Sequence, residues 1–171
     1  PGLLAPPLVC ASTACMKDGT LRVELLDKHK AADVFASLID SDHIIAGANI
    51  AYDMGVMAAA DPTLILGIFK AYDEGRVYDV QIAQALDAIA NGHLFKDPRT
   101  GGLLTDPETG KVKGRYSLSI CADLVLGMKT AKKNDWWRLR YAILENVPLA
   151  DWPEEAREYP LDDARHTWAI A

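Results

Sequence analysis

The apolar and polar positions of the chain predict a β-hairpin followed by helices that alternate with short strands. Residues 8–15 are largely apolar and residues 21–26 alternate, with the turn-forming pair Asp18-Gly19 between them, which predicts the hairpin. Apolar residues then recur at helical spacing over 28–39, behind Asp27 as a predicted N-cap. A hairpin followed by mixed strands and helices is typical of an α/β layer fold.

The rest of the pattern alternates short apolar runs with helical segments. Two short buried strands are predicted at 43–46 and 77–78. Helices are predicted over 52–60, 61–75, 79–90 with Asp79 as the cap, 118–126, 132–141 and from 152 onward. Two turn-rich clusters predict an exposed hairpin insertion around 93–115, and Pro160 is expected to kink or restart the last helix.

The composition is that of a globular protein with one core. A chain of 171 residues suits a single domain over 1–171, and half of its residues are apolar while a quarter are charged. No apolar run approaches the ~20 residues of a membrane span, and no basic segment precedes an apolar one at the start, so neither a membrane partner nor a signal peptide is expected. The three cysteines lack metal-ligand spacing and indicate reduced thiols, so we expect a cytoplasmic protein.

The charge is distributed unevenly along the chain. The net charge is −6, which argues mildly against a nucleic-acid partner. Residues 111–140, however, carry eight basic and two acidic side chains, so this stretch is +6 and the rest of the chain is −12. A basic patch on an acidic body fits a protein that binds phosphates and gathers carboxylates elsewhere. A solvated, lysine-rich loop and helix face is the alternative interpretation.

Two polar pairs have the spacing of one helical turn. Asn49 precedes Asp53 by four residues just after an apolar run, and Tyr159 precedes Asp163 by four residues near the end of the chain. Carboxylates that gather around two magnesium ions about 4 Å apart can activate water for phosphodiester cleavage. Each pair alone also fits a capped turn or a chance spacing, but the two pairs in this order favour a metal-dependent nuclease.

These segments resemble the proofreading 3′–5′ exonuclease domain of the DnaQ-like (DEDD) superfamily, as found with family A DNA polymerases of phages and bacteria. Residues 45–53 (IAGANIAYD) match its second motif, and residues 159–163 (YPLDD) match its third. The segments 115–119 (RYSLS) and 137–141 (WRLRY) also look like those between the two motifs, so the resemblance spans nearly the whole chain. Glu158 stands where the histidine version of the family has its histidine, which indicates the tyrosine subclass.

The resemblance implies an α/β fold of the ribonuclease-H-like type, with a mixed sheet flanked by helices. It also implies stepwise two-metal hydrolysis, with Mg²⁺ or Mn²⁺, at the 3′ end of single-stranded DNA. The implied partner is a DNA polymerase, in cis or in trans, in a bacterial or phage-infected cell. Asp53 and Asp163 are the implied metal ligands, and Tyr159 is implied to position the attacking water. The expected substrate-binding residues are Asn49, from its place one turn before Asp53, and Lys132, Lys133 and Arg138, from the basic stretch that could hold the strand by phosphate contacts.

The first motif of the family, an Asp-x-Glu pair on the first strand, is not found at its expected place. Residues 8–15 contain no acid, and the only Asp-x-Glu, at 106–108, follows the second motif in a turn-rich segment. Ala48 also stands where family members often have a histidine. We therefore expect the first strand, with two of the four metal carboxylates, to lie ahead of Pro1 in a longer polymerase-like protein. We expect the chain alone to be inactive.

Two alternatives stay open. A catalytically inert exonuclease-like module that binds DNA or supports a polymerase would also lack the first motif. An RNA exonuclease of the same superfamily would carry the same second and third motifs, because these motifs act on the scissile phosphate rather than on the sugar.

Overall fold

The computed structural model describes residues 5–97, 99–105, 109–110, 116–128, 137 and 140–171, which form a mixed α/β fold as predicted. The strands are β1 Cys10–Lys17, β2 Thr20–Asp27, β3 Ile45–Gly47 and β4 Val77–Asp79. The α-helices are α1 Lys28–Ile39, α2 Ile50–Ala60, α3 Ile65–Asp73, α4 Val80–Ala90, α5 Leu118–Leu126 and α6 Glu154–Ile170. Short 3-10 helices span Pro62–Leu64, Tyr141–Leu144 and Leu149–Asp151. No helix in these ranges has both the length and the apolar character needed to cross a bilayer.

The β-hairpin predicted at the start is confirmed. β1 and β2 pair antiparallel, beginning with Cys10 opposite Asp27. The turn residues Asp18 and Gly19 have φ values of 51° and 73°, the positive values that a two-residue hairpin turn requires. Asp27 then caps α1 with its carboxylate, as its position in the sequence predicts.

β3 and β4 form a second, separate sheet. They pair in parallel, with Ile45 opposite Val77 and Gly47 opposite Asp79. Among the described strands, β1 pairs with β2 alone and β3 with β4 alone, so they do not form the single mixed sheet that we expected. Within that part of the chain, the other edge of β1 and the other edge of β3 have no strand partner. The ribonuclease-H-like arrangement stays a prediction.

Two apolar clusters pack the helices against the sheets. The larger cluster joins β3 to α1, α2 and α3, and its buried members include Phe35, Ile39, Ile45, Met54 and Ile68. The smaller cluster joins the start of β1 to the C-terminal region through Val9, Leu144, Trp152 and Ala156. α6 packs against β1, β2 and β3, so this one helix reaches both sheets. Burial of these apolar surfaces is the main stabilising contribution to the fold.

The C-terminal region differs from the prediction at two places. Tyr141 begins a 3-10 helix, whereas the pattern predicted an α-helix over 132–141, most of which lies outside the described residues. Pro160 lies inside α6, which continues through it without restarting. A proline in a helix interior removes one hydrogen bond, so contacts with the rest of the fold must stabilise this turn.

The predicted insertion around 93–115 is described only in part. An isolated antiparallel bridge joins Lys96 to Leu103. The guanidinium group of Arg99 donates to Asp97 at 3.0 Å and to Asp123 of α5 at 3.2 Å, which ties this turn to the helix. Residues 98, 106–108 and 111–115 of the predicted hairpin lie outside the described residues.

A buried arginine connects the end of α1 to the start of β4. Arg76 is 9% exposed, and its guanidinium group donates to the carbonyl oxygens of Ile39 at 3.0 Å and His43 at 3.4 Å. It also donates to the carboxylate of Glu74 at 2.8 Å. The carbonyl groups at the end of a helix have no hydrogen-bond donors within the helix. The buried guanidinium group of Arg76 supplies a donor at a place where water cannot easily do so.

Arg76→Ala is expected to lower the free energy of unfolding by about 2 kcal/mol, because buried carbonyl groups lose their donor. Denaturant titration measures this change. Glu74→Gln is the matched control, since it removes only the exposed partner of Arg76 and should cost less than about 1 kcal/mol. Equal losses in the two variants would show that the carbonyl contacts contribute nothing beyond the ion pair.

Candidate active site

The chain turns sharply between β3 and α2, and Asn49 occupies the turn. Asn49 is the N-cap of α2 and has the left-handed backbone conformation, with φ 60° and ψ 46°. Asparagine tolerates this conformation better than most residues. A side chain at Gly47 would collide with Ile50, which explains the glycine just before the turn. The Asn49 side chain is exposed and makes no capping hydrogen bond, so capping does not explain its spacing from Asp53.

The carboxylate of Asp79 caps this turn instead. It accepts hydrogen bonds from the backbone N–H groups of Asn49 at 3.3 Å and Ile50 at 3.1 Å, at the start of α2. It also accepts from the N–H groups of Gln81 at 2.8 Å and Ile82 at 3.3 Å, at the start of α4. Both helices begin at the same sheet edge because β3 and β4 are parallel neighbours. One side chain therefore fixes the two helix starts relative to each other.

Asp53 lies in the first turn of α2, close to two other carboxylates. Burial raises the pKa of Asp53 to about 6, a backbone hydrogen bond opposes the rise, and the negative charges of Asp79 and Asp163 add to it. Asp53 is exposed to solvent, so its carboxylate lies at the protein surface. Nearby protein atoms nevertheless displace part of the water around it, which is the burial that raises its pKa. Carboxylates from α2, β4 and α6 therefore share one electrostatic environment.

The second polar pair lies on α6. Tyr159 and Asp163 are both half-buried, and their spacing puts them one turn apart. The ring centroids of Tyr159 and Tyr141 lie 6.5 Å apart, and the two ring planes make an angle of 42°. Burial raises the pKa of Tyr141 well above its usual range, with smaller contributions from Cys10, Tyr159 and Asp163. The start of β1, the Tyr141–Leu144 helix and α6 thus meet beside Asp163.

The structure places four of the predicted site residues in one region. Asn49 and Asp53 lie at the start of α2, and Tyr159 and Asp163 come from α6, with Asp53 and Asp163 close enough to interact electrostatically. The other predicted substrate-binding residues, Lys132, Lys133 and Arg138, lie outside the described residues. The catalytic, metal-binding and substrate-binding roles of these residues stay predictions.

The donor set falls short of a two-metal centre. The carboxylate oxygens of Asp53 and Asp163 are ligands of the kind that Mg²⁺ and Mn²⁺ prefer. The carboxylate of Asp79 accepts hydrogen bonds from backbone N–H groups at the starts of α2 and α4. Within the described ranges, no group of three or more His, Cys, Asp or Glu side chains has the geometry to hold a metal ion. The described residues alone therefore do not fit the two ions that the family resemblance implies.

Sequence reasoning missed two residues of this region. Asp79 was predicted as the cap of α4, which is confirmed, but not as a neighbour of Asp53. The sequence does contain a signal that Asp79 lies near Asp53. Asp79 ends one short strand and Asn49 follows the other, and two parallel neighbouring strands would bring these ends to the same edge of the sheet. Tyr141 lies in a segment whose pattern predicted a continuous α-helix, and no feature of the sequence places it against α6.

A separate open groove lies between the start of α1 and the end of α2. Its volume is about 750 Å³. The polar residues that line it are Lys28, His29, Asp33 and Glu145, and none of the candidate site residues contributes to it. The candidate site is therefore separate from this groove.

The chain matches no protein-family model, no curated protein and no solved structure. The function therefore rests on the residues and their geometry.

Proposed function

We propose that this chain forms the body of a 3′–5′ exonuclease domain that removes nucleotides from the 3′ end of single-stranded DNA. The proposal is carried by the electrostatic proximity of Asp53 and Asp163, two carboxylates from distant parts of the chain. Tyr159 lies one turn before Asp163 on the same helix. Carboxylates and a tyrosine hydroxyl in one place are groups that can orient a water for attack on a phosphodiester.

The surroundings of the carboxylates suit a nucleotide substrate. The side-chain amide of Asn49 is exposed and not used for capping, so it can donate a hydrogen bond to a nucleotide or accept one from it. The basic stretch 111–140, with Lys132, Lys133 and Arg138, would complement the phosphate backbone. We propose that the domain works beside a DNA polymerase, in cis or in trans, in the cytoplasm of a bacterial or phage-infected cell.

The proposed hydrolysis requires more metal ligands than Asp53 and Asp163 provide. In the family that the chain resembles, an Asp-x-Glu pair on a separate strand supplies them. The strandless edges of β1 and β3 among the described residues offer backbone groups to such a strand. Pairing with both edges would join the two sheets into one mixed sheet of the ribonuclease-H-like type.

A catalytically inert module that binds DNA or supports a polymerase is the second candidate function. One observation favours it: the described residues contain no group of three side chains that could hold a metal ion. Such a module would retain the basic stretch and the exposed Asn49 for binding, and Asp53 and Asp163 would have no catalytic role.

A nuclease assay on 5′-labelled single-stranded DNA with Mg²⁺ or Mn²⁺ tests the proposal. The assay compares residues 1–171 alone with the same residues in the complete gene product. We expect the complete product to shorten the strand from its 3′ end in single-nucleotide steps, and EDTA to stop the reaction. We expect residues 1–171 alone to be slower by at least about 100-fold, because metal ligands are missing.

Matched strands separate the outcomes of this assay. A strand with a blocked 3′ end should resist, and its cleavage would point to an endonuclease. Degradation of an RNA strand but not of the DNA strand would assign the RNA exonuclease. DNA binding without degradation by the complete product would assign the inert module, and rapid degradation by residues 1–171 alone would contradict the need for further ligands.

A further inference from the structure

Pro160 leaves one carbonyl group of α6 without its helical partner. A proline has no N–H group, so the carbonyl oxygen four residues earlier, that of Ala156, receives no hydrogen bond from position 160. Ala156 is fully buried, which denies this oxygen a water molecule as a substitute. A buried carbonyl group without a donor destabilises a fold, so another donor is needed here.

The hydroxyl group of Tyr141 is that donor. It donates to the carbonyl oxygen of Ala156 at 2.8 Å. Burial raises the pKa of this hydroxyl well above its usual range, so the group stays a donor in alkaline solution as well as at neutral pH. The ring of Tyr141 also packs with those of Trp152, at a centroid distance of 5.7 Å, and Trp137, at 6.5 Å.

The same side chain contacts the residue next to the proline. The ring of Tyr141 lies 6.5 Å from that of Tyr159, which directly precedes Pro160 in α6. Its hydroxyl therefore stabilises the weakened turn while its ring lies beside the tyrosine of the candidate site. Asp163, one turn later, is also within electrostatic reach of Tyr141.

We propose that Tyr141 is a positioning residue of the candidate site, whose hydroxyl replaces the helical hydrogen bond that Pro160 removes and thereby sets the place of Tyr159. Its catalytic consequence rests on the proposed exonuclease function. Tyr141 acts through Tyr159 and does not touch the substrate. A residue that only fills the apolar core would have no need of the hydroxyl group, and this difference can be tested.

The test compares Tyr141→Phe, Pro160→Ala and the double variant. Tyr141→Phe keeps the ring and removes only the hydroxyl, so the folding equilibrium constant should fall roughly ten-fold. In the Pro160→Ala background, the new N–H group bonds to the carbonyl oxygen of Ala156, and the same change should have almost no effect. Tyr78→Phe, which alters an exposed tyrosine of β4, is the control. An equal loss in both backgrounds would overturn the proposal.

Two further measurements separate positioning from stability alone. In the complete gene product, Tyr141→Phe should lower kcat by about ten-fold with little change in KM, and Pro160→Ala should restore it. The aromatic NMR signals of Tyr159 should shift in Tyr141→Phe and return in the double variant. If the wild-type product degrades no nucleic acid, the proposed function fails, and the NMR signals alone then decide the placement of Tyr159. Unchanged Tyr159 signals in Tyr141→Phe, or unchanged kcat in an active product, would overturn the positioning role.

Discussion

Asp53→Asn is expected to abolish DNA degradation by the complete gene product while stabilising the fold at neutral pH. Asparagine keeps the size of the side chain and removes its charge, which a metal ligand or a water-orienting group needs. We expect the rate of degradation to fall by more than about 100-fold, because removal of a residue that only hydrogen-bonds to a metal ligand can already lower activity that much. Asp163→Asn should cause a loss of similar size.

The stabilisation by Asp53→Asn follows from the raised pKa of Asp53. The folded state holds this proton up to a pH of about 6, whereas the ordinary pKa of an aspartate, which applies in the unfolded state, is 3.8. The folded state therefore binds more protons than the unfolded state between these values, and the carboxyl group lowers stability as the pH rises through them. Because the side chain keeps solvent access, the gain in Asp53→Asn should be at most about 1 kcal/mol.

Denaturant titrations at several pH values check this expectation. The difference in unfolding free energy between Asp53→Asn and the wild type should grow from pH 4 to about pH 6 and stay constant above that, following the raised pKa. Asp33→Asn, at an exposed position of α1, is the control for the loss of one surface carboxylate. A variant that is destabilised at pH 7, or that keeps activity within a few-fold of the wild type, would contradict the role given to Asp53.

Asp79→Ala is expected to have the largest effect on stability among the aspartates that cap helices. It removes the acceptor for backbone N–H groups of two helices at once. Loss of an N-cap costs about 1 kcal/mol, and the unsatisfied N–H groups at the start of α2 add about 1–3 kcal/mol. The free energy of unfolding should therefore fall by about 2–4 kcal/mol.

A serine at position 79 separates the two parts of this loss. Its hydroxyl can cap α4 but is too short to serve the start of α2 as well. Asp79→Ser should therefore lose only the hydrogen bonds from Asn49 and Ile50 at the start of α2, and its stability should fall between those of the wild type and Asp79→Ala. Asp27→Ala, which removes the cap of α1 only, is the matched control, with an expected cost of about 1 kcal/mol. If Asp27→Ala and Asp79→Ala lower the free energy of unfolding equally, the hydrogen bonds by which Asp79 links α2 to α4 do not contribute to stability.

Features that depend on neighbouring residues were predictable from the sequence. The hairpin turn at Asp18-Gly19, the cap at Asp27, and the predicted end of α5 at residue 126, just before Gly127, all follow from local backbone preferences, and the structure confirms them. The start of α2 was placed two residues late, because the bonds that begin it come from Asp79, distant in sequence.

Features that depend on distant partners were not predictable in the same way. Pro160 was expected to interrupt its helix, and the pattern of α6 gives no hint that Tyr141 replaces the lost bond. The shared environment of Asp53 and Asp79 requires β3 and β4 to be parallel neighbours, which a single sequence does not show. The pairing of Asn49–Asp53 with Tyr159–Asp163 was available only through resemblance to a family whose motifs occur in this order.

α6 contacts strands of both sheets, so its detachment from the fold would loosen the connection between them. Neither two-stranded sheet shares a ladder with the other among the described strands, so α6 and the larger apolar cluster, which includes Leu26 of β2 and Ile45 of β3, carry the cooperativity between them. Asp53 follows the parallel sheet, whereas Tyr159 and Asp163 belong to the helix itself. Local detachment of α6 would therefore separate the two halves of the candidate site before either sheet melts. The lifetime of the assembled site is then set by the docking of one helix and not by global unfolding.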